Sequence, residues 1–319
     1  MPATLEPLDP TIKTDLAVIG AGFWGVAIAT EAKKRGIGVV LFDDARPDSG
    51  SRNAAGLVQR GWFREPTSTT KPGIINRLTP KRWGLCSVDE GLAWLAINAN
   101  LRQTGEVYSS YLGPKVTVRP DLYLVYPETI LGLAGSIPQI HVTSVVQRAP
   151  DRVFVHTDRT STFAVRAVVI AAGVWTDELL RASNLPPVGV SRLRGRAILA
   201  RTPKPVPTPV TRLIRPYVSY TLRPWADGLA RIGDTVERSE RDGAKQAADL
   251  NKTLQEVAPG SEIVRWFDGY RPVAPEFVVD SVIGSSRIVV ATGAHRVGLI
   301  MAGIVAKRAV DLVEKGMGS

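Results

Sequence analysis

Three glycines and one carboxylate have the types and spacing to do chemistry together. Gly20, Gly22 and Gly25 follow the pattern GxGxxG, and Asp43 comes 18 residues after Gly25. In this pattern the first glycine permits a tight turn, the second lets a pyrophosphate approach the backbone, and the third lets a helix pack closely on a strand. The helix N-terminus attracts phosphate, and an acid placed like Asp43 can accept hydrogen bonds from both ribose hydroxyls. The spacing therefore predicts a dinucleotide site.

Two later segments indicate which dinucleotide this would be. The apolar run 165–170 leads into Ala171, Ala172 and Gly173, and the apolar run 288–290 leads into Ala291, Thr292 and Gly293. Small residues at these ends would let both strands run close beneath a bound cofactor. An NAD-binding domain does not require a C-terminal segment to come back to the cofactor. A domain that binds the longer FAD does, because the first motif holds the adenosine end and the last segment holds the isoalloxazine end.

The sequence on either side of the first motif predicts the strands and the helix that position it. Residues 16–19 are a short apolar run typical of a buried parallel strand, and residues 26–35 have helical spacing up to Gly36. Residues 39–42 form a second apolar strand that ends at Asp43. This order of strand, helix and strand predicts an α/β fold with a Rossmann-like domain.

A second domain is predicted in the segments that lack this order of strand, helix and strand. Alternation at 217–222 and 229–232 indicates antiparallel strands, and residues 244–257 read as a helix. We therefore expect a discontinuous FAD-binding domain into which an antiparallel-sheet substrate domain is inserted. The expected FAD-binding segments are 1–59, 128–185 and 275–319, and the expected substrate segments are 60–127 and 186–274.

Several motifs in a common order resemble the D-amino acid oxidase and glycine oxidase family of FAD enzymes. They span most of the chain and are GAGFWG with Asp43, SRNAAGLV (51–58), VVIAAGVWTDELL (168–180), DGLARIGDT (227–235), GYRPVAPE (269–276) and TGAHRVGLIMAG (292–303). The last segment keeps a His-Arg pair in a shifted setting and lacks the proline of the family pattern. The resemblance implies FAD, and we expect it to be noncovalent because Cys86 does not sit where some branches link the flavin.

The resemblance also implies which residues contact the cofactor. Residues 51–56 would pass the pyrophosphate and the N5 side of the ring, Val145 and Val146 would bracket the adenine, and residues 294–299 would pass beside the isoalloxazine. The expected FAD contacts are Gly20, Gly22, Phe23, Trp24, Gly25, Asp43, Asp44, Ser51, Arg52, Ala54, Ala55, Gly56, Val145, Val146, Ala172, Gly173, Trp175, Gly293, His295, Arg296, Val297, Gly298 and Leu299.

Three further side chains are implied for the reaction itself. Arg271, in GYRP, matches the family position that binds a substrate carboxylate, for which its planar fork is suited. Tyr220, in YTLRP, resembles the tyrosine whose hydroxyl helps to fix the substrate, although a tyrosine on a strand is also typical of a core. Arg296 would stabilise the reduced flavin or line the substrate pocket. No strong general base is required, because the flavin carries the difficult step.

Composition limits the other classes of function. The 319 residues include one cysteine, Cys86, and three scattered histidines, so neither an internal disulfide nor a metal site is expected. No apolar run is long enough to span a bilayer, and the N-terminus lacks the apolar stretch of a signal peptide, so we expect a cytoplasmic protein, in the host cytoplasm if a phage encodes it.

The charge is unusual and local. The net charge is +10, and residues 191–226 contain eight basic residues and no acid. Such a stretch is typical either of a soluble basic surface or of a surface that binds a polyanion. The sequence does not indicate the oligomeric state.

Four functions are therefore weighed. The first is oxidation of the C–N bond of glycine or a related small amine, with oxygen as acceptor. The second is the same chemistry on glycine-modified thymidine in DNA, as in phage flavoproteins that resemble glycine oxidase, with nucleic-acid contact through residues 191–223. The third is a non-catalytic basic nucleic-acid-binding protein, and the fourth is an NAD-dependent dehydrogenase.

Overall fold

The computed structural model describes residues 14–54, 56–59, 88–110, 113–215, 218–233, 240–275, 277–295 and 297–318. The helices in these ranges are α1 Phe23–Lys34, α2 Val88–Asn98, α3 Pro127–Gly132, α4 Thr176–Ala182, α5 Glu240–Val257 and α6 Gly298–Gly318. The strands are β1 Leu16–Ile19, β2 Val39–Phe42, β3 Leu57–Gln59, β4 Arg102–Ser110, β5 Gly113–Leu124, β6 Val142–Ala149, β7 Arg152–Thr157, β8 Thr162–Val165, β9 Ala167–Ile170, β10 Ser191–Arg201, β11 Val210–Arg215, β12 Val218–Pro224, β13 Leu229–Gly233, β14 Glu262–Val273, β15 Val278–Ser281 and β16 Ile288–Thr292.

The chain divides into two compact units. The first unit is Met1–Arg46, Ile130–Ser191 and Pro272–Ser319, and the second is Pro47–Thr129 and Arg192–Arg271. None of the described helices is both long enough and apolar enough to cross a membrane.

The first unit is built on a five-stranded sheet in the order β15-β16-β9-β1-β2. The last four strands are parallel, and β15 runs antiparallel at one edge. Every residue of β1, β9 and β16 is buried, which explains why these strands are apolar runs without alternation. The predictions of strands at 16–19 and 39–42 are confirmed, whereas α1 begins at Phe23, three residues before its predicted start.

The first and last helices of the first unit pack on each other. A charged cluster at their ends strengthens this contact, since Arg35 reaches Glu31 on its own helix and both Asp311 and Glu314 on α6, at 2.7 to 2.8 Å. The hydrogen bond to Asp311 contributes most to raising the pKa of Arg35 above its ordinary value. A three-stranded antiparallel sheet, β6-β7-β8, completes this unit, and its apolar side chains share a core with β1, β9 and α4.

The second unit is an eight-stranded sheet in the order β14-β10-β13-β12-β11-β4-β5-β3. Most of its pairs are antiparallel, as predicted, and β11 with β4 is a parallel pair. Helix α5 covers one face, where Leu250 and Leu254 pack against Ile198, Leu222 and Ile232. We refer to the opposite face, which carries Arg223, Arg231 and Arg271, as the arginine face.

Residues 47–59 correct one predicted domain boundary. They were expected in the FAD-binding domain but belong to the second unit. The amide of Tyr270, on β14, donates to the carbonyl of Asp48 at 2.9 Å, Ser49 forms a bridge with Tyr270, and β3 pairs with β5. These backbone bonds attach the segment to the large sheet.

Candidate active site

In the first unit, three adjacent parallel strands end at the same edge of the sheet. Strand β1 is followed by Gly20, β9 leads to Gly173, and β16 is followed by Gly293. Gly20 has a φ of 100°, and a Cβ on it would lie 2.5 Å from the carbonyl oxygen of Ala171. Only glycine can make this turn, so the first element of the predicted motif has a physical requirement for its residue type.

The third glycine of the motif brings α1 against the turn. A Cβ on Gly25 would lie 1.7 Å from the carbonyl oxygen of Gly20. Helix α1 begins after Gly22 without a side-chain cap, and its first turn has no acidic residue. The turn, with no side chain at Gly20, Gly22 or Gly25, is a cradle of backbone groups that fits a pyrophosphate. Phe23 and Trp24 point their side chains into the protein, where both are buried.

Asp43 lies at the end of β2 and faces the same turn. Its Oδ1 accepts a hydrogen bond from the amide of Ala21 at 3.1 Å. Its carbonyl accepts one from the amide of Ile140 at 2.9 Å, and Asp43 forms a bridge with Gln139. The carboxylate is thus fixed next to the glycine turn, where it fits the ribose of an adenosine.

The structure corrects the prediction for Val145 and Val146. The side chain of Val145 is fully buried in the core, and its amide donates to Ser183 Oγ at 2.8 Å. Val146 lines a cleft that includes Ser285 and Ile288, at the amino end of β16, which is the edge of the sheet opposite the glycine turns. The segment that lies beside Asp43 is Gln139 to His141, immediately before β6.

A charged and aromatic cluster follows Asp43 at this edge. Asp44 Oδ2 accepts from Arg46 Nε at 2.5 Å and lies 3.3 Å from His141 Nδ1. The Arg46 guanidinium stands 4.7 Å from the ring centre of Trp175, which follows Gly173. The predicted contacts Asp44 and Trp175 therefore lie together, joined by Arg46, which was not among the predicted contacts.

A hydrogen bond attaches the last segment to the first motif. Trp24 Nε1 donates to the carbonyl of Gly298 at 2.8 Å, so the start of α1 is linked to the start of α6. Val297 and Leu299 are buried, so any contact that they make with a ligand must come from their backbone. Ala172 packs partly against the core, and Thr292 Oγ1 donates to Gly173 at 3.1 Å.

Of the pair His295 and Arg296 in this segment, His295 lies within the described residues. His295 has a φ of 44°, and its amide donates to the carbonyl of Pro272 at 2.8 Å. This left-handed backbone is uncommon for a residue other than glycine and turns the chain between Gly293 and α6. Arg296 lies outside the described residues, as does Ala55 of the earlier loop.

In the second unit, the loop predicted to pass the flavin is attached to β14. Asn53 Nδ2 donates to the carbonyls of Pro47 and Ser49, and the amide of Ala54 donates to Ser51 at 3.3 Å. A Cβ on Gly56 would lie 1.9 Å from the carbonyl of Val125. The loop that carries Ser51, Arg52, Ala54 and Gly56 is therefore held by the Asn53 side chain and by backbone contacts within this unit.

Arg271 lies on the arginine face. A Cβ on Gly195 of β10 would come within 2.3 Å of Arg271 Nη1, so the guanidinium lies across a glycine that leaves room for it. The neighbouring positions Ala197 and Leu199 face the same way and pack with Phe267. This placement suits a side chain that presents its fork to a carboxylate.

Tyr220 is on the other face, and its predicted role is wrong. The side chain is 1% exposed, packs with Leu222, Leu250 and Leu254 under α5, and its hydroxyl donates to the carbonyl of Gln246 at 3.3 Å. Strand alternation puts Thr221 and Arg223 on the arginine face instead. The alternation of apolar and polar residues along β12 could have identified Thr221 and Arg223 from the sequence.

Two arginines of the arginine face were not among the predicted site residues. Arg223 on β12 and Arg231 on β13 are direct cross-strand partners, and each is 1% exposed. The Arg223 guanidinium lies 4.1 Å and that of Arg231 5.2 Å from the ring centre of Trp225. Arg231 is also 4.4 Å from the ring centre of Phe267 and donates through Nη2 to the carbonyl of Asn53.

Acidic residues from later in the chain lie beside several arginines of the basic run 191–223 in the folded structure. Arg194 and Arg196 both bond Asp268, Arg212 lies 3.0 Å from Glu256, and Arg201 lies 3.7 Å from Glu262. These three acids lie on β14 and α5 and offset part of the charge of the eight basic residues. The stretch is therefore weaker support for a polyanion surface than its composition suggested.

Comparisons with known proteins identify the family to which the chain is similar. The family model described as FAD dependent oxidoreductase (DAO) matches residues 15–126 and 136–312. The bifunctional protein ThiO/ThiG of Trichormus variabilis is 25% identical over 94% of this chain, which spans 52% of that protein. Glycine oxidase of Geobacillus kaustophilus is 23% identical, with 96% of this chain and 94% of that protein covered.

Solved structures share the fold. The crystal structure of glycine oxidase from Geobacillus kaustophilus has a TM-score of 0.68 at 20% identity, with 95% of each chain covered. Dithionite-reduced L-α-glycerophosphate oxidase from Mycoplasma pneumoniae with FAD bound has a TM-score of 0.73 at 16% identity, also with 95% of each chain covered.

Proposed function

The chain belongs to the DAO family of FAD-dependent oxidoreductases, and we propose that it oxidises the C–N bond of glycine or a glycine-like amine. The observation that carries the substrate class is Arg271, whose guanidinium lies over Gly195 on the arginine face. A planar fork in this setting can hold a carboxylate by two parallel charge-assisted hydrogen bonds.

The chain's own residues would hold FAD without a covalent bond. The backbone at Gly20, Gly22 and Gly25 would bind the pyrophosphate, and Asp43, held by the amide of Ala21, would accept the ribose hydroxyls. The segment 139–141, rather than Val145 and Val146, would pass the adenine. When bound, FAD supplies the acceptor for a hydride from the carbon next to nitrogen.

The protein's part in the reaction is to bind and orient. Arg271 would fix the carboxylate and so set the position of the neighbouring carbon. The imine would be hydrolysed by water to an oxo acid and ammonia, or to an oxo acid and a primary amine where the substrate nitrogen carries an alkyl group, and hydrogen peroxide would form with oxygen as acceptor.

The test is anaerobic bleaching of the purified protein's flavin absorption by glycine, sarcosine and small D- and L-amino acids. We expect bleaching by at least one glycine-like amine, and an oxo acid and hydrogen peroxide in air. A flavin that no amine bleaches would refute the proposal.

The alternative, in which glycine-modified thymidine in DNA is the substrate, uses the same chemistry. Its support was the basic run, and the ion pairs to Asp268, Glu256 and Glu262 weaken that support. Glycylated and unmodified DNA, titrated at low and moderate salt, would decide. Turnover of glycylated DNA but not of free glycine would favour this alternative, and binding through phosphates would weaken steeply as salt rises.

A further inference from the structure

In the first unit, a contact between an arginine and a tryptophan joins the carboxyl ends of two strands. Arg46 follows β2, and its guanidinium stands 4.7 Å from the ring centre of Trp175, which follows β9. In the sheet β1 lies between β9 and β2, so this contact joins elements on either side of the strand that ends before Gly20. Arg46 is therefore placed to hold together the two sides of the glycine turn that fits the pyrophosphate.

Asp44 extends this contact to a third segment. Its Oδ2 accepts a hydrogen bond from Arg46 Nε at 2.5 Å and lies 3.3 Å from His141 Nδ1. Its carbonyl accepts a hydrogen bond from Gln139 Nε2 at 3.0 Å. The segment 139–141, which lies beside Asp43, is thus attached to the residue that pairs with Arg46.

The backbone turn at Ala45 supports this arrangement. Ala45 has a φ of 55°, in the left-handed region that residues other than glycine seldom adopt. Such a conformation costs free energy and persists only where the surrounding contacts specify it. The turn brings Arg46 beside Asp44, and their side chains are only 31% and 28% exposed. This pair is therefore more strongly fixed than an ordinary ion pair in open solvent.

We propose that Arg46 positions the adenosine end of FAD by holding Asp44, Trp175 and the segment 139–141 around Asp43. Arg46 acts through these groups, so it is a positioning residue rather than a catalytic one. The inference rests on the FAD site of the proposed function and does not depend on which amine is oxidised.

The loss of Arg46 has a defined consequence for binding. Without its guanidinium, Asp44 loses a cation and Trp175 loses the group that lies against its ring. The ends of β2 and β9 must then be ordered when the cofactor binds, and this ordering reduces the affinity. The reduction should affect the adenosine end of FAD and not the flavin.

The experiment compares FAD with ADP, which has the adenosine and the diphosphate but no flavin. The affinity of the apoprotein for FAD is measured by fluorescence titration, and that for ADP by its competition with FAD. In Arg46→Met both affinities should fall by the same factor, about three- to thirtyfold, as the loss of one partly exposed ion pair and one cation–π contact would give. The visible spectrum of the bound flavin should be unchanged.

Two further variants locate the effect. Arg46→Lys keeps a charge for Asp44 but has no planar group to lie on Trp175, so it should recover part of both affinities. Arg166→Met is the matched control, because Arg166 precedes β9 and lies 3.4 Å from Asp15, which precedes β1, at the opposite edge of the sheet. The control should bind both ligands as the wild type does. Circular dichroism and thermal unfolding of each apoprotein show whether it is folded.

Three results would overturn the inference. The first is wild-type affinity for both ligands in Arg46→Met, and the second is a fall in the affinity for FAD alone, because the residue would then act at the flavin end. The third is a wild-type protein in which ADP does not compete with FAD, since Arg46 would then have no adenosine site to hold. No amine is added in these measurements, so the oxidation of amines is tested separately by the bleaching of the flavin.

Discussion

Replacement of Gly25 by alanine should separate cofactor binding from folding. A Cβ at this position would lie 1.7 Å from the carbonyl oxygen of Gly20, where ordinary contact begins near 3.4 Å. The start of α1 and the turn must therefore move apart by more than about 1 Å, and both atoms in conflict belong to the backbone or to Cβ, so no side-chain rotation relieves it.

The expected magnitudes follow from this displacement. Overpacking of this kind costs about 1–3 kcal/mol of stability. The same movement misdirects the N–H groups that would bind the pyrophosphate, and loss of one hydrogen bond to a charged group is worth about 1.5–3 kcal/mol, or roughly ten- to a hundredfold in the affinity for FAD.

The assay is fluorescence titration of the apoprotein with FAD, together with thermal unfolding of the apoprotein. Gly132→Ala is the matched control, since a Cβ at Gly132 on α3 meets nothing within 4 Å. The control should bind FAD as the wild type does. Wild-type FAD affinity in Gly25→Ala would refute the assignment of the turn to the pyrophosphate.

Three further predictions concern individual side chains. Arg271→Met should raise KM for a carboxylate-bearing amine by roughly ten- to a hundredfold with FAD affinity unchanged, because it removes a charge-assisted hydrogen bond, and steady-state kinetics with parallel FAD titration would check this. Tyr220→Phe should leave KM unchanged and lower the free energy of unfolding by about 1 kcal/mol at most, because the hydroxyl bonds Gln246 in the core; a large rise in KM would contradict this placement. Trp24→Phe should cost about 1 kcal/mol of stability through loss of the bond to Gly298, measured by denaturant unfolding, and unchanged stability would show that this link between α1 and α6 contributes little.

Local signals predicted the first unit well. Strand β1 is a short apolar run because both faces of the parallel sheet are covered there, and the glycine spacing is forced by contacts between neighbouring turns. Asp43 follows directly from the end of β2. The contact between Gly20 and Gly25, strand β1 and Asp43 depend on residues close in sequence, so a pattern can reveal them.

Features that depend on distant residues were not predictable in the same way. The charge of residues 191–223 is offset by acids that lie more than 70 residues away for Arg194 and Arg196. Val145 and Val146 were chosen by resemblance, yet the backbone bond to Asp43 falls at Ile140. By contrast, the alternation in β12 was sufficient to place Tyr220 under α5 and Arg223 on the arginine face, and the assignment by resemblance overrode it.

The central claim is that this chain binds FAD through its first glycine turn and uses it on an amine. The most direct measurement is the visible absorption spectrum of the purified protein, before and after anaerobic addition of glycine-like amines, followed by acid precipitation. We predict the two visible bands of an oxidised flavin, their loss on addition of the amine, and release of the flavin into the acid supernatant. A colourless protein that takes up no FAD when it is offered would contradict the claim.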